Sequence, residues 1–420
     1  MKLIILNLII IPFLIKITKQ DKIGIININF TYIKEEELLK VPIKIGEPSQ
    51  NIEMILDLSS ERTWVLDNIY LYNNSNKFKT DHFLDSREER DLSYKGYWSR
   101  DTFILGDKIL EKFDFLLVNQ IINNNKFKGV LSLGREYDSK RFSLAYRLSA
   151  ISVTYFNSFV IKFFNDKEGE LIFGDLTKES KEYYNNVNKC KIINKNPLIK
   201  WKCMLTHFFI GNVEENKNNQ NYEMNQLEYE INVRKNKIKV IDKPVSFESI
   251  YNKIYVDNDF MNYLYLNVFS ECKIENGEYN SYFICEKNVI SKIPHLNFVL
   301  SDVTCLSFST NILFDCNENK CISLIQYHKL FPDFSFGILV LKNFEMIFEY
   351  NSPYISFYGK ENKYLVKMPY RGGIRFIDFI IYMLITIIFI LIILICFIYI
   401  MRRKNNERKR IEQEIYDKFN

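Results

Sequence analysis

The sequence predicts an all-β body carried on one C-terminal membrane helix, and three observations predict it. Short runs that alternate apolar and polar residues, or are rich in Ile, Val, Phe and Tyr, recur at close spacing through the middle of the chain. Helical periodicity is confined to two short stretches there, 144–149 and 259–268. An uncharged run dominated by Ile, Leu and Phe then covers 379–401, long enough to cross a hydrocarbon core of about 30 Å as a helix rising about 1.5 Å per residue.

Composition bounds the answer before any motif does. In 420 residues, 47% are hydrophobic and 15% aromatic, with only 14 Gly and 9 Pro. That is enough apolar mass for a large core, and it excludes a chain that is mainly disordered or collagen-like. Lys and Arg number 56 against 51 Asp and Glu, a formal charge of +5. The concentrated basic surplus of a nucleic-acid binder is missing, so no nucleic-acid partner is expected. The length itself favours two lobes.

The chain opens with Met1 and Lys2, an apolar run over 3–15 broken by Asn7 and Pro12, and a polar stretch over 16–21. This is the n-region and h-region pattern of a secretory signal peptide, placed at 1–20. The segment 19–40 is small for a proregion. Strands are expected at 41–45, 52–56, 102–105, 113–118, 171–173, 296–300, 344–348 and 354–358, with polar inserts 73–90 and 212–225 as surface loops. A first lobe over 21–175 and a second over 176–365 then lead through a juxtamembrane linker, 366–378, to the span.

Arg402, Arg403, Lys404, Arg408, Lys409 and Arg410 follow the span at once. By the positive-inside rule this flank is cytosolic. The body is therefore expected to be lumenal or extracellular, on a single-pass type I protein of the secretory or endolysosomal system or the cell surface. Such a compartment admits disulfides. Cys190, Cys203, Cys272, Cys285, Cys305, Cys316 and Cys321 all lie in the second half of the ectodomain, and Cys396 lies in the span. Seven is odd, so one thiol is left over. The four histidines, His82, His207, His295 and His328, are far apart, and no cluster offers four ligands, so neither a metal nor a cofactor is expected. Asn29-Phe30-Thr31 and Asn73-Asn74-Ser75 fit the glycan acceptor pattern.

One stretch carries more than a strand pattern. Ile45-Gly46-Glu47-Pro48-Ser49-Gln50 leads through a second apolar run to Asp57-Leu58-Ser59-Ser60, followed at Trp64-Val65 by an apolar pair. It resembles, without gaps, the first catalytic region of the pepsin-like aspartic proteases, where Asp-Thr-Gly-Ser is followed by Leu-Trp-Val. Three more segments resemble family landmarks in the same order. They are Phe127-Lys128-Gly129-Val130-Leu131-Ser132-Leu133-Gly134, the crossover Gly169-Glu170-Leu171-Ile172-Phe173-Gly174, and the closing strands from Phe336-Gly337-Ile338 to Ile355-Ser356-Phe357-Tyr358. Trp201 stands where the second lobe begins. The resemblance covers about 42–359 and implies a bilobal fold with a central cleft.

It also implies a site. Asp57 takes the first catalytic position, and the second is expected at Asp242, in Val240-Ile241-Asp242-Lys243-Pro244. In this chemistry two carboxylates, one from each lobe, share a proton around one water, one acting as base while the other protonates the carbonyl. Ser60 is the expected hydroxyl partner of Asp57. Tyr94 and Gly96 are expected at the flap, with Trp64 lining the cleft. The Thr that follows each Asp in the family, and ties the lobes together beneath the dyad, is replaced by Leu58 and Lys243. Lys243 also brings a cation beside the carboxylates.

These residues imply a membrane-anchored aspartic endopeptidase, expected as a monomer with a peptide or protein in its cleft. The altered loops leave a second reading, a pseudo-protease that binds peptide without cutting it. A third is a tethered adhesion ectodomain, marked by exposed apolar patches instead of a cleft.

Overall fold

The computed structural model describes residues 24–419 except 61, 90–91, 123–125, 136–143, 151–153, 155–156, 175–187, 194–199, 212–221, 224–237, 302–303, 330–332, 351, 360–364 and 368–375. The expected signal peptide therefore lies outside the described residues, as do most of the 212–225 insert and most of the linker. The chain divides into a body ending at Pro369 and a C-terminal unit starting at Tyr370.

The described strands of the body form two sheets, one of 13 strands and one of 12. Period-two burial builds them. In the strand Ile26–Ile33, Ile26, Ile28, Phe30 and Tyr32 are buried while Asn27, Asn29 and Thr31 between them are exposed, so one face meets the core and the other meets water. All eight expected strands form: 296–300 appears as Leu296–Leu300, and 102–105 is the end of a longer strand, Leu92–Leu105. The two expected helices are Leu144–Ala150 and Asn258–Asn267.

Both halves of the body repeat one local plan. In the first, Leu38–Ile45 and Gln50–Asp57 form a hairpin. Gly129–Ser132 then runs parallel to the second strand, with Asp57 opposite Ser132, and the short strand Trp64–Leu66 pairs antiparallel on its other side. In the second half, Lys202–Ile210 and Ile238–Phe247 pair antiparallel. Phe334–Phe336 runs parallel to the latter, with Phe247 opposite Phe336, and Ile254–Val256 pairs antiparallel beyond it. The chain's closing strands, Phe344–Glu349 and Tyr354–Gly359, return to the first half's sheet through Ser158–Phe163.

Trp201 locks this return. Its ring is fully buried against Phe159, Phe348 and Tyr350 at centroid distances of 5.8, 5.1 and 5.1 Å, and its Nε1 donates to the Leu133 carbonyl at 2.9 Å. The Tyr350 hydroxyl lies 3.0 and 2.8 Å from the carbonyl oxygens of Leu133 and Gly134. Arg135 stacks over the same indole at 5.7 Å, and its burial lowers its pKa from the ordinary arginine value.

The polar stretch 73–90, expected as a loop, is largely the edge strand Lys79–Glu89, paired along Leu92–Leu105. Its charged residues, read as loop composition, are what an exposed edge strand carries. Gly96 sits inside this ladder where a Cβ would come within 2.3 Å of the Leu117 carbonyl oxygen. Gly96→Ala is accordingly expected to lower stability by about 1–3 kcal/mol, read by denaturant unfolding; an unchanged midpoint would mean the ladder yields there. At the base of the hairpin, buried Asp101 takes hydrogen bonds from Tyr70, from Ser75 Oγ at 3.1 Å and from the Thr102 N–H at 2.7 Å. Burial and that carboxylate raise the Tyr70 pKa.

Three disulfides, Cys190–Cys203, Cys272–Cys285 and Cys316–Cys321, join six cysteines of the body, and Cys305 is a buried free thiol. The C-terminal unit is a helix, Phe376–Phe419, and an 18-residue window within its segment Leu384–Ile411 has a mean hydropathy of 3.3, apolar and long enough to cross a membrane. The basic tail continues the same helix, with Arg403 and Glu407 paired one turn apart at 3.5 Å.

Candidate active site

Asp57 is the last residue of its strand and is 7% exposed. The chain turns sharply after it because Ser59 folds back on the carboxylate, giving Oδ1 its backbone N–H at 2.9 Å and its hydroxyl at 2.8 Å. This is a local Asx-type turn, which pins the side chain before any contact with the other lobe. Ser60 was the expected donor. Its hydroxyl donates to the Arg62 carbonyl at 3.2 Å, while its own carbonyl accepts from Ser132 Oγ at 2.5 Å. The hydrogen bonds Leu133 N–H to Asp57 O at 2.8 Å and Gly134 N–H to Ser60 O at 3.2 Å fasten the loop to the parallel strand.

Asp242 does not occupy the matching place. It lies within Ile238–Phe247, five residues short of the strand's end, exposed and with φ of +47°. The register slips between Leu205 and His207, opposite this point. A β-bulge explains both the left-handed dihedral, which Asp tolerates, and the outward side chain. Lys243 beside it is half exposed and pairs with Asp257, the N-cap of Asn258–Asn267. The anticipated cation among the carboxylates is thus not Lys243.

The strand's own end points to a different acid. Glu248 follows Phe247 directly, is 1% exposed, and its N–H donates to the Phe336 carbonyl at 2.9 Å. Ser249, next in sequence, reaches across to the first loop: its Oγ accepts from the Leu58 N–H at 3.0 Å and donates to the Leu56 carbonyl at 2.8 Å. Those two backbone groups bracket Asp57. Glu248 therefore stands beside Ser249 as Asp57 stands beside Leu58, and the two acids reach one junction from opposite halves. Half of the expected grip beneath a carboxylate pair survives, supplied by Ser249; Leu58 has no hydroxyl to return it. Gly337 makes room for this loop, since a Cβ there would meet the Tyr251 carbonyl oxygen at 2.2 Å.

Glu248 has a cation of its own. Lys200 Nζ lies 3.0 Å from Oε1, with the lysine side chain 29% exposed and the glutamate side chain 1%. A cation at this distance favours the ionised carboxylate. Glu248 escapes a sequence reading that expects Asp at the second position. The signal was present, though, in Val245-Ser246-Phe247-Glu248-Ser249: apolar residues, an acid, then a hydroxyl in the position after it.

The flap expectation moves as well. The hairpin closes between Glu89 and Leu92, so neither Tyr94 nor Gly96 is at its tip. Tyr94 is 1% exposed and lies 5.4 Å from buried Trp64. The two rings belong to an apolar cluster with Leu38, Ile55, Leu116, Val118 and Val130, against which Ile250 of the second acidic loop also packs. Trp64 and Tyr94 are brought together, but as the packed wall behind the first loop. Among the described residues no group of three His, Cys, Asp or Glu side chains could hold a metal ion.

Comparison with known proteins bears on the family and the fold. The profile of the eukaryotic aspartyl protease family matches residues 40–359. The crystal structure of an aspartic proteinase from Irpex lacteus superposes with a TM-score of 0.60, covering 80% of this chain and 97% of that chain at 12% identity, a likeness of fold alone. No curated protein matches the sequence.

Proposed function

From the premise that this chain belongs to the eukaryotic aspartyl protease family, we propose that its body is a membrane-anchored endopeptidase whose two carboxylates are Asp57 and Glu248. One observation carries the pairing. The Ser249 hydroxyl is bonded to the backbone on both sides of Asp57, which brings the residue before it, Glu248, to the same junction. Two carboxylates around one water can divide the labour of hydrolysis, one taking the water's proton as the other protonates the carbonyl oxygen. An extended peptide would be held along the cleft by strand-like hydrogen bonds.

The helix Phe376–Phe419 anchors this body. The basic cluster that starts at Arg402 faces the cytosol, and the disulfide-bonded side faces the lumen or the exterior. The signal peptide at 1–20 directs the chain there as a type I protein.

One observation favours a second reading, capture of peptide without hydrolysis. Glu248 is already committed to Lys200, which works against a proton shared between the acids.

The test is cleavage of a mixed peptide library by the full-length protein in detergent, from pH 2 to 7. Asp57→Asn and Glu248→Gln should each lower cleavage by about 10²-fold or more, while Asp242→Asn leaves it unchanged. Loss of activity in Asp242→Asn with Glu248→Gln intact would return the second role to Asp242. Folded protein that binds peptides and cuts none would establish the second reading.

A further inference from the structure

Lys200 is the one charged side chain that the sequence offers no reason to expect at the acidic junction. It lies immediately before Trp201, whose indole is fully buried and bonded to Leu133. The lysine backbone is therefore held next to a fully buried, hydrogen-bonded ring. Only its side chain has freedom, and that side chain reaches Glu248 at 3.0 Å.

The other charges on the packed elements are spoken for. Arg62 pairs with Asp85 at 3.7 Å, Lys202 with Asp333 at 3.3 Å, and Lys243 with Asp257. Among the described residues of the two loops, Asp57 is the other acid, and its Oδ1 is held by Ser59. The nearby hydroxyls of Tyr251 and Ser335 bond to each other.

We propose that Lys200 is a built-in charge clamp on Glu248 that confines the singly protonated, hydrolytic state of the carboxylate pair to strongly acidic pH. The proposal rests on the reading of Asp57 and Glu248 as the working pair. It is a positioning role, since Lys200 acts through Glu248.

The sign follows from the pair's titration. Hydrolysis needs one proton on two carboxylates, so activity lies between the pair's first and second apparent pKa values. A cation in contact with one member favours ionisation and lowers both. Removing the charge raises both, and the activity profile moves toward neutral pH. An opposite charge at contact moves a carboxyl by about 1–3 units. With Lys200 29% exposed, solvent screening places the expected shift near the lower end, about one pH unit.

The experiment compares pH profiles of peptide cleavage for full-length protein and its Lys200→Met, Lys200→Gln and Lys200→Arg variants. The two neutral variants should move the alkaline limb up by about one pH unit and raise cleavage at pH 6 by roughly tenfold, whereas Lys200→Arg keeps the parent profile. Because a neutral variant can fail to fold, the parent protein is also titrated by infrared difference spectroscopy, with the Glu248 carboxyl identified as the band that Glu248→Gln deletes. That band should remain ionised below the ordinary glutamate range.

Cleavage that depends on Asp57, with unmoved limbs in the neutral variants, overturns the clamp and leaves the proposed function standing. Absence of cleavage in every protein overturns the proposed function, and the infrared titration still decides the clamp. A Glu248 band that titrates at or above the ordinary range overturns it outright.

Discussion

Trp201→Ala is expected to lower the stability of the body by about 3–5 kcal/mol, the range for removing a buried Trp from a packed core. The site allows little collapse, because three aromatic rings meet the indole, Phe159 from one strand and Phe348 and Tyr350 from the end of its neighbour. The Leu133 carbonyl keeps the Tyr350 hydroxyl as a partner but loses the indole N–H at 2.9 Å. Arg135 loses the ring it stacks on. At roughly 2–4 °C per kcal/mol for a domain of this size, the midpoint should fall by about 6–20 °C.

The damage should extend to the site. Leu133 and Gly134 continue the strand that holds the Asp57 loop through the Asp57 and Ser60 carbonyls. Their backbone is fixed on the far side by Trp201 and Tyr350. A scan of thermal unfolding, with Trp201→Phe as a partial replacement, checks the prediction. A shift in Trp201→Ala no larger than in Trp201→Phe would mean that the ring packing contributes little beyond the indole N–H.

What could be read from the sequence divides along physical lines. Strands with one buried face announce themselves by alternation, so 52–56 and 113–118 were placed within longer strands. The first acid was legible because an uninterrupted local frame, from Ile45 to Trp64, surrounds it. The edge strand Lys79–Glu89 was not legible, since an edge carries the same polar residues as a loop and its identity comes from the partner strand. The acid proposed as the partner of Asp57 was not legible for a related reason. Asp242 and Glu248 both follow apolar residues, and only the register decides between them: a bulge turns Asp242 out, and the parallel pairing of Phe247 with Phe336 ends the strand one residue before Glu248. Cross-strand register is not written in a single segment. The position of Lys200 is equally nonlocal, lying 48 residues from its partner.

The two acidic loops are held unequally, and this asymmetry predicts where the junction is weakest. The first loop is self-supporting through Ser59. Between the loops, the Ser249 hydroxyl links to backbone groups some 190 residues away. Ser249→Ala removes the hydroxyl and leaves the Leu58 N–H and the Leu56 carbonyl without it in a place that excludes water; Leu56 and Leu58 are both fully buried. Each stranded group costs about 1–3 kcal/mol, so a loss of about 2–4 kcal/mol is expected after partial relaxation. A carboxylate pair is also sensitive to its spacing, and a displacement of about 1 Å can cost on the order of 10²-fold in rate. Ser249→Ala should therefore lose cleavage beyond what its folded fraction explains, while Ser249→Thr, which keeps the hydroxyl, retains most of both. Unfolding curves and cleavage rates measured on the same samples separate the two effects. Parent-like stability and rate in Ser249→Ala would show that the loops are registered by packing alone, with Ile250 against the Trp64 and Tyr94 cluster as the contact to alter next.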